Sequence, residues 1–416
     1  MVESRLEEAS VVVGIDWADR EHVAWVVDRR SGKATLERIE HERLHDYLAG
    51  LQGRAGGGRV AIGIEQSRGP VVWAMMAYEG IDIYPINPVM LRRMADAQRV
   101  SRAKDDPTDA QVAYEILEKH PNWVRRWVPD EASTRALRLL CEMRKKKVEQ
   151  RTALTNEITD ALKQYYPQAL SCGGGFETRL FPVFLRTYPS VIALRENSGT
   201  LAVFYRQNRC CERRVIEQRV AIASKARELT TDRAVIESYR LLVETSLPQL
   251  EALNAAIAQF ETQIAQLWQS HPDREVFASF GGAGAALAPR LATVFGDRRD
   301  RWTDAEAMQE FSGIAPVKVQ SGPVWSIHMR WQCPTFVKQT FHEFAAHSIA
   351  KSSWARAFYI SARNRGMGHH AAVRGLAYRW IRILFRCWQS RTKYDESRYI
   401  ESLKRSGSPL AAMLVA

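Results

Sequence analysis

Val11-Val12-Val13-Gly14-Ile15-Asp16 is an apolar run that ends on an acid, and Val60-Ala61-Ile62-Gly63-Ile64-Glu65 repeats the pattern 49 residues later. Short runs this rich in β-branched residues read as buried strands. The elements around them decide the fold. Residues 11–18 and 22–28 are two β-rich runs joined by the polar turn Asp19-Arg20-Glu21. A third strand is predicted over 34–40, a short helix over 43–51 and a glycine-rich loop over 53–58. Strand 59–65 follows, then a helix over 70–78 and a strand over 81–85. Asn87-Pro88 opens another helix, and Asp106-Pro107 one more, since Asp suits the N-cap and Pro the first helical position. Three strands in a meander, then alternating helix and strand, suit a ribonuclease-H-like α/β fold. There the first strand and the strand ending at Glu65 lie side by side, which brings Asp16 and Glu65 together.

Asp106 and Asp109 share a helix face at i,i+3 and are expected to aim at the same point. A lone acid in a buried strand is commonly structural, and burying its charge is costly without a positive partner. Four carboxylates converging on one point call for a cation, and an all-oxygen ligand set favours Mg²⁺ or Mn²⁺. Asp16, Glu65, Asp106 and Asp109 are therefore the candidate metal ligands of a phosphoryl-transfer site. Asp19 and Asp105 read as solvated neighbours. Lys104 reads equally as a phosphate contact and as a surface lysine.

A chain of 416 residues is too long for one ordinary core. Its 46% hydrophobic and 25% charged residues are those of a globular protein, and its net charge of +12 suggests a polyanionic partner. Residues 361–416 alone hold 11 Lys and Arg against 3 Asp and Glu. No run of about 18 apolar residues exists, so no membrane span is expected, and the first residues carry no signal-peptide pattern. The six cysteines lack metal-ligand spacing and fit reduced thiols in the cytoplasm.

Three regions are expected: 1–128, α/β and catalytic; 129–271, helical; and 272–416, mainly helical. In the second, Leu250, Leu253, Ile257, Phe260, Ile264 and Leu267 form a heptad seam, preceded by Pro248, that fits a helical hairpin or a coiled-coil dimer. A helix over 132–165 carries Arg144-Lys145-Lys146-Lys147, either a solvated face or a phosphate-contacting one. In the third, Phe280-Gly281-Gly282-Ala283-Gly284 resembles a helix-hairpin-helix turn. Leu376, Trp380, Ile383 and Cys387 make an apolar stripe beside a basic one, Arg379, Arg382 and Arg386. His369-His370 has no acidic or Cys partner nearby in sequence. Ser321-Gly322, from chemistry alone, reads as a turn serine, because a serine nucleophile needs activation and no sequence-local base is visible.

With these residues in hand, the chain resembles the DEDD transposases of bacterial insertion sequences, the insertion-sequence-110 family, related to Piv-like DNA invertases and also called bridge recombinases. Gly14-Ile15-Asp16, Glu65, Asn87-Pro88 and Lys104-x-Asp106-x-x-Asp109-Ala110 look like the family's RuvC-like motifs, at separations of 49, 41 and 3 between the acids. Arg151-Thr152 with Asn156 is similar to the start of its coiled coil. Phe280 to Gly284 through Gly296-Asp297, then Phe311-x-Gly313-Ile314-x-Pro316 through Ser321-Gly322, look like its carboxy-terminal transposase domain. The resemblance implies a RuvC-like domain, a coiled coil and a serine-bearing helical domain. It implies Mg²⁺ on Asp16, Glu65, Asp106 and Asp109, and Ser321 attacking DNA to form a phosphoserine link. It further implies a structured guide RNA choosing target and donor DNA, a homo-oligomer (dimer or tetramer), and a cytoplasmic, nucleoid-associated bacterial protein. Lys104, Arg144, Lys145, Lys147, Arg379, Arg382 and Arg386 are the candidate nucleic-acid contacts. Many members follow the Ser-Gly with Gly-Lys and then Lys-Arg-Gly-Asn. Here Pro323-Val324-Trp325 and Arg330-Trp331-Gln332-Cys333-Pro334 stand instead, which marks a divergent subgroup. The alternatives are a structure-selective RuvC-like nuclease without a covalent intermediate, and an inactive nucleic-acid-binding derivative. An actin-like or sugar-kinase fold would need a Gly/Thr-rich turn where Trp17-Ala18-Asp19-Arg20 stands.

Overall fold

The computed structural model describes residues 5–65, 67–98, 106–322 and 324–414, with the backbone alone for Asp106 and Ser321. The chain divides into two compact units, Met1–Asp130 and Glu131–Ala416.

In the first unit, β1 (Ala9–Asp16), β2 (Glu21–Asp28) and β3 (Ala34–Glu40) form an antiparallel meander. Helix α1 (Leu44–Ala55) leads to β4 (Arg59–Ile64), and α2 (Pro70–Met75) to β5 (Ile81–Pro85). The sheet order is β3-β2-β1-β4-β5, with β4 parallel to both β1 and β5. The neighbouring of β1 and β4 follows the prediction from the strand pattern. Two further helices complete the unit, α3 (Pro88–Gln98) and α4 (Asp106–Lys119).

Strand alternation divides the sheet into two faces. Val11, Val13, Ile15, Val60, Ile62 and Ile64 pack with Leu44, Leu48 and Leu51 of α1 and with Val71, Val72 and Met75 of α2. On the other face Val12 and Ala61 pack with Leu91 of α3 and with Val112, Ala113, Ile116 and Leu117 of α4. A sheet covered on both faces explains why β1 and β4 are nearly continuous apolar runs.

The second unit is almost entirely helical. The helices α5 (Ala132–Tyr165) and α6 (Arg233–Gln269) pack against each other. Arg144 bonds Glu261, and seven residues on Arg151 bonds Asn254, seven residues back, so the pair is antiparallel. The heptad seam therefore packs within one chain as a helical hairpin, with Leu250, Ile257 and Ile264 buried. Helix α6 runs on through Pro248 instead of starting after it. Pro removes one backbone bond; Gln249 Nε2 donates to the Thr245 carbonyl at 3.3 Å, and the hydroxyls of Thr245 and Ser246 cap carbonyls one turn earlier. Val243 and Leu247, buried on one side of the proline, and Leu250 on the other hold the helix in place.

One core lies between the ends of the hairpin and the short helices of 168–224. A second joins the other ends to α7 (Gly284–Phe295), α8 (Thr335–Ser348) and α9 (His369–Ser390). Leu376, Trp380 and Cys387 of α9 are buried in it, as the apolar stripe predicted. Between α7 and α8 a feature absent from the sequence reading appears, a hairpin of β6 (Val317–Ser321) and β7 (Val324–His328). All six cysteines are free. Among the described residues no helix is long and apolar enough to cross a membrane.

Candidate nucleic-acid-processing site

Two glycines let α4 lie directly on the sheet. Gly14 and Gly63 are paired across β1 and β4. A Cβ at Gly14 would run into the Ala110 carbonyl oxygen and the Tyr114 amide nitrogen. A Cβ at Gly63 would stand 2.9 Å from Leu117 Cδ1 and 3.1 Å from the Ala113 carbonyl oxygen. Each glycine precedes a candidate acid by two residues, so alternation assigns Asp16 and Glu65 to the face that α4 covers.

The direction of α4 is fixed at its far end. Arg29 bonds Glu118 at 2.6 Å and also donates to the Leu6 and Ala9 carbonyls, where β1 begins. The last turn of α4 thus sits by the start of β1. Its first turn, with Asp106 and Asp109, lies toward the other end, where β1 stops at Asp16 and β4 runs into Glu65. The fold brings the four backbone positions to one end of the unit. Asp16, Glu65 and Asp109 are half-buried. Among the described residues no group of three or more His, Cys, Asp or Glu is spaced to hold a metal, and the Asp106 side chain lies outside that search.

A histidine pair flanks the same end. His22 is buried at the start of β2; its Nδ1 accepts the Ala18 N–H at 3.3 Å, and its Nε2 lies 3.2 Å from His41 Nδ1. Burial first, and His41 second, hold the His22 pKa below its ordinary value. Sequence reading passed over this pair because its members lie 19 residues apart and meet only through the β2–β3 register.

The other candidates are dispersed. Lys104 lies outside the described residues. Arg144 is tied to Glu261 across the hairpin, Lys145 to Glu149, and Lys147 to Gln150 at 3.1 Å. Arg382 and Arg386 are exposed, whereas the Arg379 guanidinium lies 5.0 Å from the Phe358 ring centroid. Ser321 is the last residue of β6, paired with Val324 across Gly322, whose φ is +58°. It is a strand-end residue beside a turn. The alternation Val317-Lys318-Val319-Gln320, then a Ser-Gly turn, was the signal for this hairpin.

The comparisons with known proteins agree with the motifs. The profile of the IS110-type DEDD transposases, described as "Transposase", matches residues 13–167. The profile described as "Transposase IS116/IS110/IS902 family" matches residues 274–360. A Streptomyces coelicolor protein assigned as the mini-circle transposase for IS117 is 28% identical over 97% of this chain and 99% of its own length. An uncharacterized 43.6 kDa protein of insertion element IS110, also from Streptomyces coelicolor, is 24% identical over 94% of this chain and 96% of its own. An uncharacterized 44.8 kDa protein of insertion element IS116 from Streptomyces clavuligerus is 24% identical over 79% of this chain and 81% of its own. With both family profiles matched in order, across more than half of its length, this chain belongs to the IS110/IS116 family of insertion-sequence transposases.

Proposed function

We propose that the protein is an RNA-guided, Mg²⁺-dependent recombinase that cuts and rejoins DNA through a phosphoserine intermediate. The observation that carries the metal part is the meeting of β1, β4 and the first turn of α4 at one end of the first unit, each bringing an acid. Asp16, Glu65, Asp106 and Asp109 would hold the ion; an all-oxygen set of this kind suits Mg²⁺ or Mn²⁺. When bound, such an ion supplies Lewis-acid stabilisation of a phosphodiester under attack. Ser321 is the nucleophile in this reading. Its oxygen forms a bond to phosphorus, the bond from phosphorus to the 3′ oxygen breaks, and the 3′ oxygen takes up a proton. The 5′ phosphate stays on the serine until a second 3′ hydroxyl displaces it.

The working organisation is three regions: 1–128 with a RuvC-like catalytic domain, 129–271 with the helical pair, and 272–416 with the serine. Target and donor DNA and a structured guide RNA are the partners, engaged by a dimer or tetramer. Arg382 and Arg386 are the more available basic contacts, with Arg144, Lys145, Lys147 and Arg379 acting partly through their protein partners; Lys104 is the remaining candidate.

The test is covalent trapping. The protein is mixed with Mg²⁺, labelled element-junction DNA and RNA transcribed from the element's flank, and a denaturation-resistant protein–DNA band is sought. We expect a band that Ser321→Ala removes. Cleavage with no band, unaffected by Ser321→Ala, would replace this reading with a metal nuclease; binding without any metal-dependent chemistry would replace it with an inactive derivative.

A further inference from the structure

Among the described residues, the β6–β7 hairpin carries large apolar side chains that stand open to solvent. Val324 is 71% exposed, Trp325 58%, Ile327 61% and, just beyond the hairpin, Trp331 79%. Large apolar side chains exposed together mark an interaction surface more often than single ones do. The pairing register puts Lys318, Gln320, Trp325 and Ile327 on one face of the hairpin, through the pairs Lys318–Ile327 and Gln320–Trp325. Lys318 Nζ lies 5.6 Å from the centre of the Trp325 ring, and Lys338 Nζ 5.9 Å from that of Trp331. Each tryptophan thus has an ammonium group at hand while much of its surface faces solvent.

Charge chooses the occupant. From Phe311 to His342 the chain holds Lys318, Arg330 and Lys338 and no Asp or Glu. Glu310, beside this stretch, pairs with Arg330 at 3.4 Å. A protein partner for an apolar hairpin would not need this one-sided charge. Aromatic rings interleaved with cations are what unpaired nucleic acid takes, because bases stack on the rings and phosphates meet the ammonium groups. A duplex hides its base faces and offers the rings nothing to stack on.

We infer that Trp325 and Trp331 are stacking positions for an unpaired DNA strand, with Lys318 and Lys338 on its phosphates. The commitment to DNA rests on the proposed role of Ser321: Trp325 lies one rung along the ribbon from the Ser321–Val324 pair, on the alternate face. The hairpin then holds a strand already separated from its complement, not an intact duplex.

The test is binding by fluorescence anisotropy with the full chain in EDTA at fixed salt, so that no chemistry contributes. The probes are a fluorescein-labelled 20-nucleotide DNA strand, its duplex and the RNA of the same sequence. Trp325→Ala and Trp331→Ala should each weaken single-strand DNA binding about 5- to 100-fold. Trp325→Phe and Trp331→Phe should restore most of it, and duplex binding should stay within about twofold, since duplex affinity comes from phosphate contacts. Unchanged single-strand binding would overturn the inference, as would equal losses for strand and duplex, or a loss confined to RNA. A fall in sedimentation mass in the Ala variants would assign the face to a second copy of the chain instead. Because no covalent step runs in EDTA, loss of stacking is read here and loss of the covalent product only in the trapping assay, so the two are separate failures.

Discussion

The two ends of the five-stranded sheet treat their carboxylates differently. Where β4 and β5 begin, Asp82 is 2% exposed and meets Arg59 and Arg126, each at 2.5 Å. Where β1 and β4 end, Asp16 and Glu65 stand half-buried, at the end toward which α4 starts. A carboxylate gripped by two guanidinium groups has its charge balanced by the protein and is fixed as a structural joint. Half-buried carboxylates contributed by separate elements lie toward one end of the sheet, and the proposed cation would act there. The contrast is between a buried acid fixed by two arginines and half-buried acids at the opposite end.

The largest effect should fall on activity at the second end. Asp16→Ala should reduce strand exchange by more than about 100-fold, since even the partners behind a metal ligand act on that scale. Circular dichroism should match wild type, because the side chain is not part of the packed core. An active Asp16→Ala protein would make this end as structural as the other. Asp82→Ala should do the reverse. It leaves Arg59 and Arg126 without their shared anion, at a cost of about 3–5 kcal/mol for a broken buried pair, read as a lower urea midpoint. Catalysis per folded molecule should be unaffected. A stable Asp82→Ala protein would mean that the arginines find other acceptors.

Gly14→Ala comes next, at the upper end of the roughly 1–3 kcal/mol that overpacking costs. Its methyl would meet backbone of α4, which cannot rotate away. Since α4 also carries Asp106 and Asp109, the substitution should lower activity along with stability. Loss of stability with full activity would separate the seat of α4 from the site.

How much of this was legible in the sequence follows the range of the forces involved. Strands β1 and β4, and their meeting, could be read because burial on both sides imposes long apolar runs. The start of α4 could be read because Asp-Pro is a local signal. The reason for Gly14 and Gly63 could not, since a glycine's need appears only against the helix that approaches it. Asp82 gave no signal either: its partners are 23 and 44 residues away, and the Ile83–Trp127 bridge carries the segment holding Arg126 alongside β5. In the second unit the heptad seam was plain, but periodicity alone does not reveal the partner helix. The Arg144–Glu261 and Arg151–Asn254 bonds identify it as α5. The β6–β7 hairpin was missed because helical surroundings hid a short alternating stretch whose side chains face solvent and so carry no burial pattern.

The smallest effect concerns pH at the Asp16 end. His22 is buried with Nδ1 accepting a backbone N–H, an arrangement that requires this nitrogen to be unprotonated. Its folded pKa lies below the ordinary 6.5, chiefly through burial and then through His41. The unfolded chain therefore binds the proton more readily than the folded one. By linkage, stability rises with pH across the window between the lowered pKa and 6.5. His22 contributes fully above 6.5, and its contribution falls away as the solution is acidified through that window. A series of urea midpoints from pH 7.5 to pH 5 should fall more steeply for wild type than for His22→Gln, which keeps a hydrogen-bonding side chain but does not titrate. The variant will be less stable throughout, so the slope is the quantity to compare. Parallel slopes would mean that His22 takes up its proton equally in both states, and the pH response of this end would then have to come from its carboxylates.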